Sequence, residues 1–414
     1  MPRQLDASSI FDYLRPGMEI YTAGCAGHSL LFESWLRQAP GRCAQLRFTG
    51  VHIPTVNRFD FAGLDPQARQ RTIFLSADLR ASWLAGRIDY LPMSYSGTWQ
   101  WLVEQARFDV ALVQVAPPDE QGQCSLGVAC DFTPAAWPRA TRVLAHVNPR
   151  MPHTRGPSIP WSRIDAAVEH DSPLLQVPDP EPDSSMSAVA ARVAGLVSDG
   201  ATLQLGLGRL QSAVLRKLHD RSNLRIHSGM VSDGLLGLIE ANALAEDADA
   251  VVAGVALGTE ALYTAVAGRV RFRDVSHTHD RAVLRAIPRM TAINSALSVD
   301  LLGQVNGEYL GGRQLSGVGG LPDFLRGARQ APGGRGIIAL SASTPRGESR
   351  IVPMLPSGPV SVARIDADCI VSEYGVADLR HLDVHARARA IIAIGDPAHR
   401  ESLERAWHEL AHHL

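Results

Sequence analysis

Lysine is almost missing from this chain: Lys217 is the single one among 40 lysines and arginines in 414 residues. Schiff-base chemistry, including a pyridoxal phosphate anchor, therefore has one residue to draw on and is set aside. Cysteine is scarce too, with five (Cys25, Cys43, Cys124, Cys130, Cys369), an odd number that includes no C-x-x-C pair. That pattern argues against a disulfide framework or a zinc site and for reduced, buried thiols. No apolar run approaches membrane-spanning length, and the opening MPRQLDASSIFDYLRPG lacks the apolar core of a signal peptide, so no membrane association and a cytoplasmic location are expected. A net charge of −2 offers no basic field for nucleic acid.

What is present is ordinary globular composition, 45% hydrophobic and 20% charged, in a chain long enough for two domains. Residues 17–24 and 200–206 both read as short buried strands ending in glycine. Helical segments follow them at about 30–37 and 210–218. Residues 108–115 and 250–255 are continuous apolar runs, as expected of strands covered on both faces. The expected fold class is α/β, with two similar domains that each hold a mostly parallel open sheet flanked by helices. Residues 171–185 carry four prolines and read as a linker, giving domains 1–185 and 186–414.

Residues 315–327, Leu-Ser-Gly-Val-Gly-Gly-Leu-Pro-Asp-Phe-Leu-Arg-Gly, place Gly317, Gly319 and Gly320 within four positions. Such a turn lets backbone N–H groups approach an anion or oxyanion, although a tight structural turn is the plainer reading of glycines alone. Gly206-Leu-Gly208-Arg-Leu-Gln211 follows a strand and opens a helix, where phosphate can bind. Gln211 stands where a dinucleotide fingerprint needs its third glycine, which disfavours a nicotinamide oxidoreductase.

The 315–327 segment, with Ala-Ile-Asn-Ser-Ala-Leu-Ser-Val-Asp at 292–300 and Gly-Gly-Arg-Gly-Ile-Ile-Ala-Leu-Ser at 333–341, closely resembles the acetyl-CoA hydrolase/transferase family, which includes the 4-hydroxybutyrate CoA-transferases. Further matching segments are 50–57, 109–122, 147–154, 349–353, 371–377 and 395–400, in order through nearly the whole chain. The resemblance implies two α/β domains of the CoA-transferase type with the active site in the cleft between them, and dimers or larger oligomers. It implies acyl-CoA and a carboxylic acid as small-molecule partners, with coenzyme A as substrate and no permanently bound cofactor. It also implies CoA contacts from the segment holding Gly206, Gly208 and Gln211 and from the turn holding Ser316, Gly317 and Gly320. Asn294 is a candidate amide contact, with a loop-capping asparagine as the alternative, and Arg335 is a candidate for the CoA phosphates. Gly319 and Gly320 are the implied oxyanion donors. Arg326 is a further phosphate candidate, with a solvated surface arginine as the alternative for it and for Arg335.

One departure matters. Members of the family carry His-Thr-Glu or Tyr-Thr-Glu where this chain reads His227-Ser228-Gly229. That glutamate attacks the acyl-CoA and carries CoA covalently; Gly229 has no side chain with which to do so. Asp233, Glu240, Glu260 and Glu373 are weak replacements, and the lost side chain is expected to leave room for water or a substrate carboxylate. His227 is a candidate water-activating base, because imidazole titrates near neutrality. His277 and His279 have alternate spacing suited to one face of a strand, and His381 and His385 have helical spacing. Neither pair brings a third or fourth metal ligand, so no metal is expected. The expected function is processing of a short-chain acyl-CoA thioester by transfer or hydrolysis, with a catalytically degenerate acyl-CoA-binding protein as the alternative.

Overall fold

Buried β-branched runs separated by capped helices build two parallel sheets in the computed structural model, which describes residues 1–356 and 358–414. The chain divides into two compact units. Unit 1 comprises Met1–Pro178, Val251–Thr278 and Leu315–Gly319; unit 2 comprises Asp179–Ala250, His279–Gln314 and Gly320–Leu414. The first passage falls at residue 178, inside the Pro-rich stretch 171–185, but the chain returns to unit 1 twice, so the units are not continuous halves.

In unit 1 the strand order is Arg3–Gln4, Ala166–Glu169, Ala140–Val147, Phe108–Val115, Glu19–Thr22, Arg47–Thr49, Arg69–Thr72, Ile88–Tyr90. Every neighbouring pair is parallel. Phe108–Val115 is buried along nearly its whole length, which explains its unbroken apolar sequence. The helix Leu30–Gln38 starts where the Ser29 hydroxyl accepts from Phe32 N–H, and it turns Phe32, Trp35 and Leu36 inward. Those side chains meet Ile20, Phe48, Phe61, Val110 and Leu144 in one core.

Within unit 2 the order is Arg225–Val231, Thr202–Leu205, Met290–Ser295, Arg335–Ala339, Cys369–Ser372, Gly375–Asp378, parallel except at the last pair. The helix Leu321–Gln330 starts at Gly320 with proline in its first turn, Asp323 at its positive end and Arg329 at its negative end. Its Phe324, Leu325 and Ala328 pack with Met290, Ile338 and Ile370.

Both sheets reverse direction at one place. From Glu19–Thr22 the next strands run to one side, and the chain then returns to the other side with Phe108–Val115. Thr202–Leu205 is flanked in the same way by Arg225–Val231 and Met290–Ser295. In open α/β sheets the carboxyl ends of strands at such a reversal form the crevice that takes a ligand.

All five cysteines are free and buried, and burial pushes the thiols of Cys43, Cys124 and Cys369 up to about 12, 11 and 12. Among the described residues no helix is long and apolar enough to cross a membrane.

Leu325 is fully buried between its helix and the sheet. Leu325→Ala is expected to lower unfolding free energy by about 2–5 kcal/mol in a urea titration, whereas Leu84→Ala, at a position 69% exposed, should change it by less than about 0.5 kcal/mol.

Candidate active site at the carboxyl edge of unit 2

Strand register decides which of the sequence-selected residues meet. Thr202 lies opposite Arg225 and Leu203 opposite Ile226, so Leu205 is level with Ser228 and Gly206 with Gly229. The Ser228 hydroxyl donates to the Leu205 carbonyl at 2.9 Å and locks that alignment. On the other side Leu205 is opposite Ile293, which brings Asn294 to the same edge. There Asn294 Nδ2 donates to Gln204 Oε1 at 2.9 Å, and Gln204 Nε2 donates back to Asn294 Oδ1 at 3.4 Å. Both amides are buried, so each satisfies the other across two strands.

After Leu205 the chain turns at Gly208, whose φ of +122° a side-chain-bearing residue rarely adopts, and enters the helix Arg209–Arg216. Gln211 in that helix is buried against the turn, with Oε1 3.2 Å and Nε2 3.9 Å from where Cβ atoms on Gly208 and Gly206 would stand. Gly206, Gly208, Gln211 and Asn294 therefore come together at the switch point. Arg335 does not join them: it opens its strand opposite Thr291, at the amino end of the sheet. Arg326 bonds Asp366 through Nε at 2.9 Å.

Alternation along Arg225–Val231 puts His227 and Gly229 on one face and Ser228 on the other. His227 is buried, 5% exposed. The space beside Gly229, expected to be open, is filled by an imidazole. A Cβ on Gly229 would lie 2.7 Å from Cε1 and 3.0 Å from Nε2 of His279. A Cβ on Gly320 would lie 2.6 Å from His279 Cδ2 and closer still to Nε2. The ring of Phe324 covers the imidazole with centroids 4.5 Å apart at 54°. Thus the edge of His279 that carries Nε2 occupies a slot bounded by two glycines, and the ring is 2% exposed.

His279 is the residue that sequence reasoning passed over. Residues 277–280 are not a strand: Val275–Thr278 is a single helical turn, and Asp280 caps the helix Arg281–Ala286 by accepting from Val283 N–H at 2.9 Å. His279 is held between these two short helices. The Asp-capped helix start was readable, but nothing in a single sequence says which distant glycines the preceding side chain meets. His381 likewise lies outside a helix, at φ +62°, with the helix Val384–Ala393 beginning after it.

The glycine turn divides. Residues 315–319 belong to unit 1, where Leu75 N–H donates to the Ser316 carbonyl at 3.3 Å and Tyr95 N–H to the Gly319 carbonyl at 3.2 Å. Gly317 needs its bare Cα because a Cβ would run into the Ile73 carbonyl, and Gly319 holds φ +56° against Phe74 and Tyr95. Gly320 belongs to unit 2 and starts the helix Leu321–Gln330, whose first N–H groups have no acceptor within the helix.

Of the weighed replacement carboxylates, Glu373 accepts from Ala342 N–H at 2.8 Å and from the Ser185 hydroxyl at 3.3 Å, a structural role. Glu240 is exposed at its helix end, and Glu260 is exposed and lies in unit 1. Asp233 stands at the start of the helix Gly234–Glu240 and makes no side-chain cap there.

Burial, then the nearby His227, holds the His279 imidazole down to about 3. The ring is therefore neutral at physiological pH.

Two family models match the chain: the acetyl-CoA hydrolase/transferase N-terminal domain over residues 3–178 and the C-terminal domain over 258–407. This chain belongs to the acetyl-CoA hydrolase/transferase family. A 4-hydroxybutyrate coenzyme A transferase of Clostridium kluyveri is 38% identical over 366 residues, 85% of each chain. An acetyl-CoA hydrolase of Neurospora crassa is 24% identical over 83% of this chain and 75% of its own. Among solved structures, RipA from Yersinia pestis superposes with a TM-score of 0.90 at 28% identity, covering 98% of this chain and 100% of that one. A 4-hydroxybutyrate CoA-transferase of Porphyromonas gingivalis gives 0.81 at 29% identity, covering 100% and 98%. The expected family and the CoA-transferase-like α/β fold are both borne out.

Three buried histidines bear on how the fold is expected to respond to acid. Burial holds His52 down to about 3 and His146 to about 4, alongside His279. Each binds its proton more readily when unfolded, at the ordinary value of 6.5, so stability is complete above that pH and drains as pH falls toward 4 and 3. Asp131, raised by burial to about 6 from 3.8, acts in the opposite direction as pH rises through that window. With three imidazoles against the two carboxyls that burial raises, Asp131 and Asp368, Tm is expected to fall between about pH 7 and pH 4.5 in calorimetry. A Tm that rises over that interval would show that the imidazoles are protonated in the native protein.

Proposed function

We propose that this protein turns over a short-chain acyl-CoA thioester at the carboxyl edge of unit 2 by a route without a glutamyl-CoA intermediate. The carrying observation is the Gly229 position, which offers no carboxylate and whose side-chain direction is taken by His279. In this reading Gly206, Gly208, Gln211 and Asn294 receive coenzyme A at the switch point, where the helix Arg209–Arg216 presents its amino end. Gly320 donates its backbone N–H to the thioester oxygen, a contribution of roughly 3 kcal/mol to the transition state. His227 shares a strand face with Gly229 and is the proposed acceptor of a proton from attacking water. The roles of Ser316, Gly317 and Arg335 toward CoA rest on the resemblance alone. Coenzyme A acts as substrate, not as a resident cofactor; the enzyme works in the cytoplasm as a homo-oligomer.

The same observation supports a second reading, an acyl-CoA-binding protein that has lost turnover, since a filled slot with no carboxylate is what such a loss would leave. Thiol release from a panel of short acyl-CoAs, measured with and without acetate, separates the two. Hydrolysis gives thiol without acetate; strict dependence on the acceptor supports transfer. Thermal stabilisation by acyl-CoA with no turnover across the panel supports the binder. His227→Ala is expected to lower kcat by about 10²–10⁴-fold while leaving CoA affinity within about threefold. Intact-mass spectra after acyl-CoA exposure should show no CoA adduct on the wild-type chain.

A further inference from the structure

We propose that His279 is the residue that works on the thioester carbon in place of the family's carboxylate, and that its acyl acceptor is water. The proposal rests on the acyl-CoA reading above and gives that site its acceptor.

The argument starts from volume. The Cβ direction of Gly229 is the one along which a residue-229 carboxylate would have to extend, and His279 Cε1 and Nε2 stand in it, 2.7 and 3.0 Å from the Cβ position. A side chain on Gly320 would strike the same ring edge. Phe324 closes the ring's side at 4.5 Å between centroids. The slot consequently admits one working side chain: a carboxylate from position 229 or an imidazole from position 279, not both. Glycine at 229 then marks a replacement and not a simple deletion, because the vacated volume is filled by a group that arrives from another segment.

Chemistry follows from what fills it. A carboxylate at this place bonds to the acyl carbon and afterwards holds CoA; an imidazole without a proton on one nitrogen instead accepts a proton. The ring lies beside Gly320, where the helix Leu321–Gln330 begins and where N–H groups can hold the thioester oxygen. As a water oxygen bonds to the thioester carbon, His279 takes its proton and the carbonyl oxygen becomes an oxyanion. Collapse of that adduct breaks the carbon–sulfur bond, and the imidazolium returns the proton to the departing thiolate. Acyl-CoA and water give a carboxylic acid and CoA thiol, with no further reactant. Because CoA is never held covalently, no acceptor acid is needed. In this proposal His279 takes over the direct role given to His227 above, and His227, near enough to act electrostatically on His279, acts through that ring and not on the water itself.

The test uses four full-length proteins: wild type, His279→Ala, Gly229→Glu and Gly229→Glu/His279→Ala. Readouts are Tm, CoA affinity by calorimetry, and thiol release from short acyl-CoAs without acetate. His279→Ala should keep CoA affinity within about threefold, lose about 10²–10⁴-fold in kcat and recover part of it with added imidazole. A merely structural histidine would not respond to imidazole. Gly229→Glu should lower Tm, and the double variant should recover it and form a covalent CoA adduct visible by mass. If His279→Ala does not fold, His279→Asn, which keeps most of the volume, takes its place.

Full thiol release by a His279 variant that binds CoA would overturn the proposal, as would a wild type that binds acyl-CoA without turnover. A double variant no more stable than Gly229→Glu would overturn the one-occupant slot. If wild type has no affinity for CoA or its esters, the acyl-CoA reading itself fails, while the Tm comparison still judges the slot.

Discussion

The imidazole of His279 wedged between Gly229 and Gly320 is the constraint on which the rest of this account depends. Two positions from strands and turns far apart in sequence must both lack a Cβ for one ring to fit. A glycine inside a packed site ordinarily leaves its side-chain direction open. Here the backbone on both sides, the Phe324 ring and the capped helix after Asp280 converge on the same volume. Close packing leaves little tolerance for such a coincidence, because a core that loses a side chain either collapses or keeps a cavity. This one is occupied by a polar ring with chemistry of its own.

The two sheets show why unit 2 holds the site described. Each reverses direction at one strand, and each reversal is followed by a tight turn. In unit 1 that turn is sealed. Cys25, at φ +50° and fully buried, has its N–H held by Asn57 Oδ1 at 2.9 Å and its carbonyl by Asn57 Nδ2 at 3.1 Å. Burial and the neighbouring Asp131 push the Cys25 thiol far above its usual range, which makes it an inert core group. In unit 2 Gly208 carries the turn, and the chain enters an eight-residue helix with its amino end at the switch point. The Gln204–Asn294 amide pair holds the two strands level beneath it. Similar topology yields a closed edge in one unit and a glycine-lined edge in the other.

Much of this was legible in the sequence, and for physical reasons. Phe108–Val115 reads as a strand because both faces are covered, and Leu30–Gln38 reads as a helix because Ser29 caps it and its apolar residues share a face. The family showed itself in ordered segments along the chain. Gly206, Gly208, Gln211 and Asn294 do share one edge, because their strands are parallel and in register. Other features depend on contacts that no local pattern encodes. Arg335 begins its strand opposite Thr291, at the other end of the sheet from Asn294. Gly317 must lack a Cβ because the Ile73 carbonyl stands against it, a contact from a distant segment. His279 looked like one face of a strand, whereas its role is set by Gly229, fifty positions earlier, and Gly320, forty-one later.

A crystal of the wild-type protein grown with a ketone analogue of a short acyl-CoA, in which a methylene replaces the thioester sulfur so that it cannot be hydrolysed, tests the central claim most directly. The account predicts the carbon equivalent to the thioester carbonyl next to the His279 ring and Gly229, with its oxygen toward the Gly320 N–H and one ordered water between imidazole and carbon. An analogue bound with its acyl end remote from that ring, and the glycine slot still closed over His279, would contradict it.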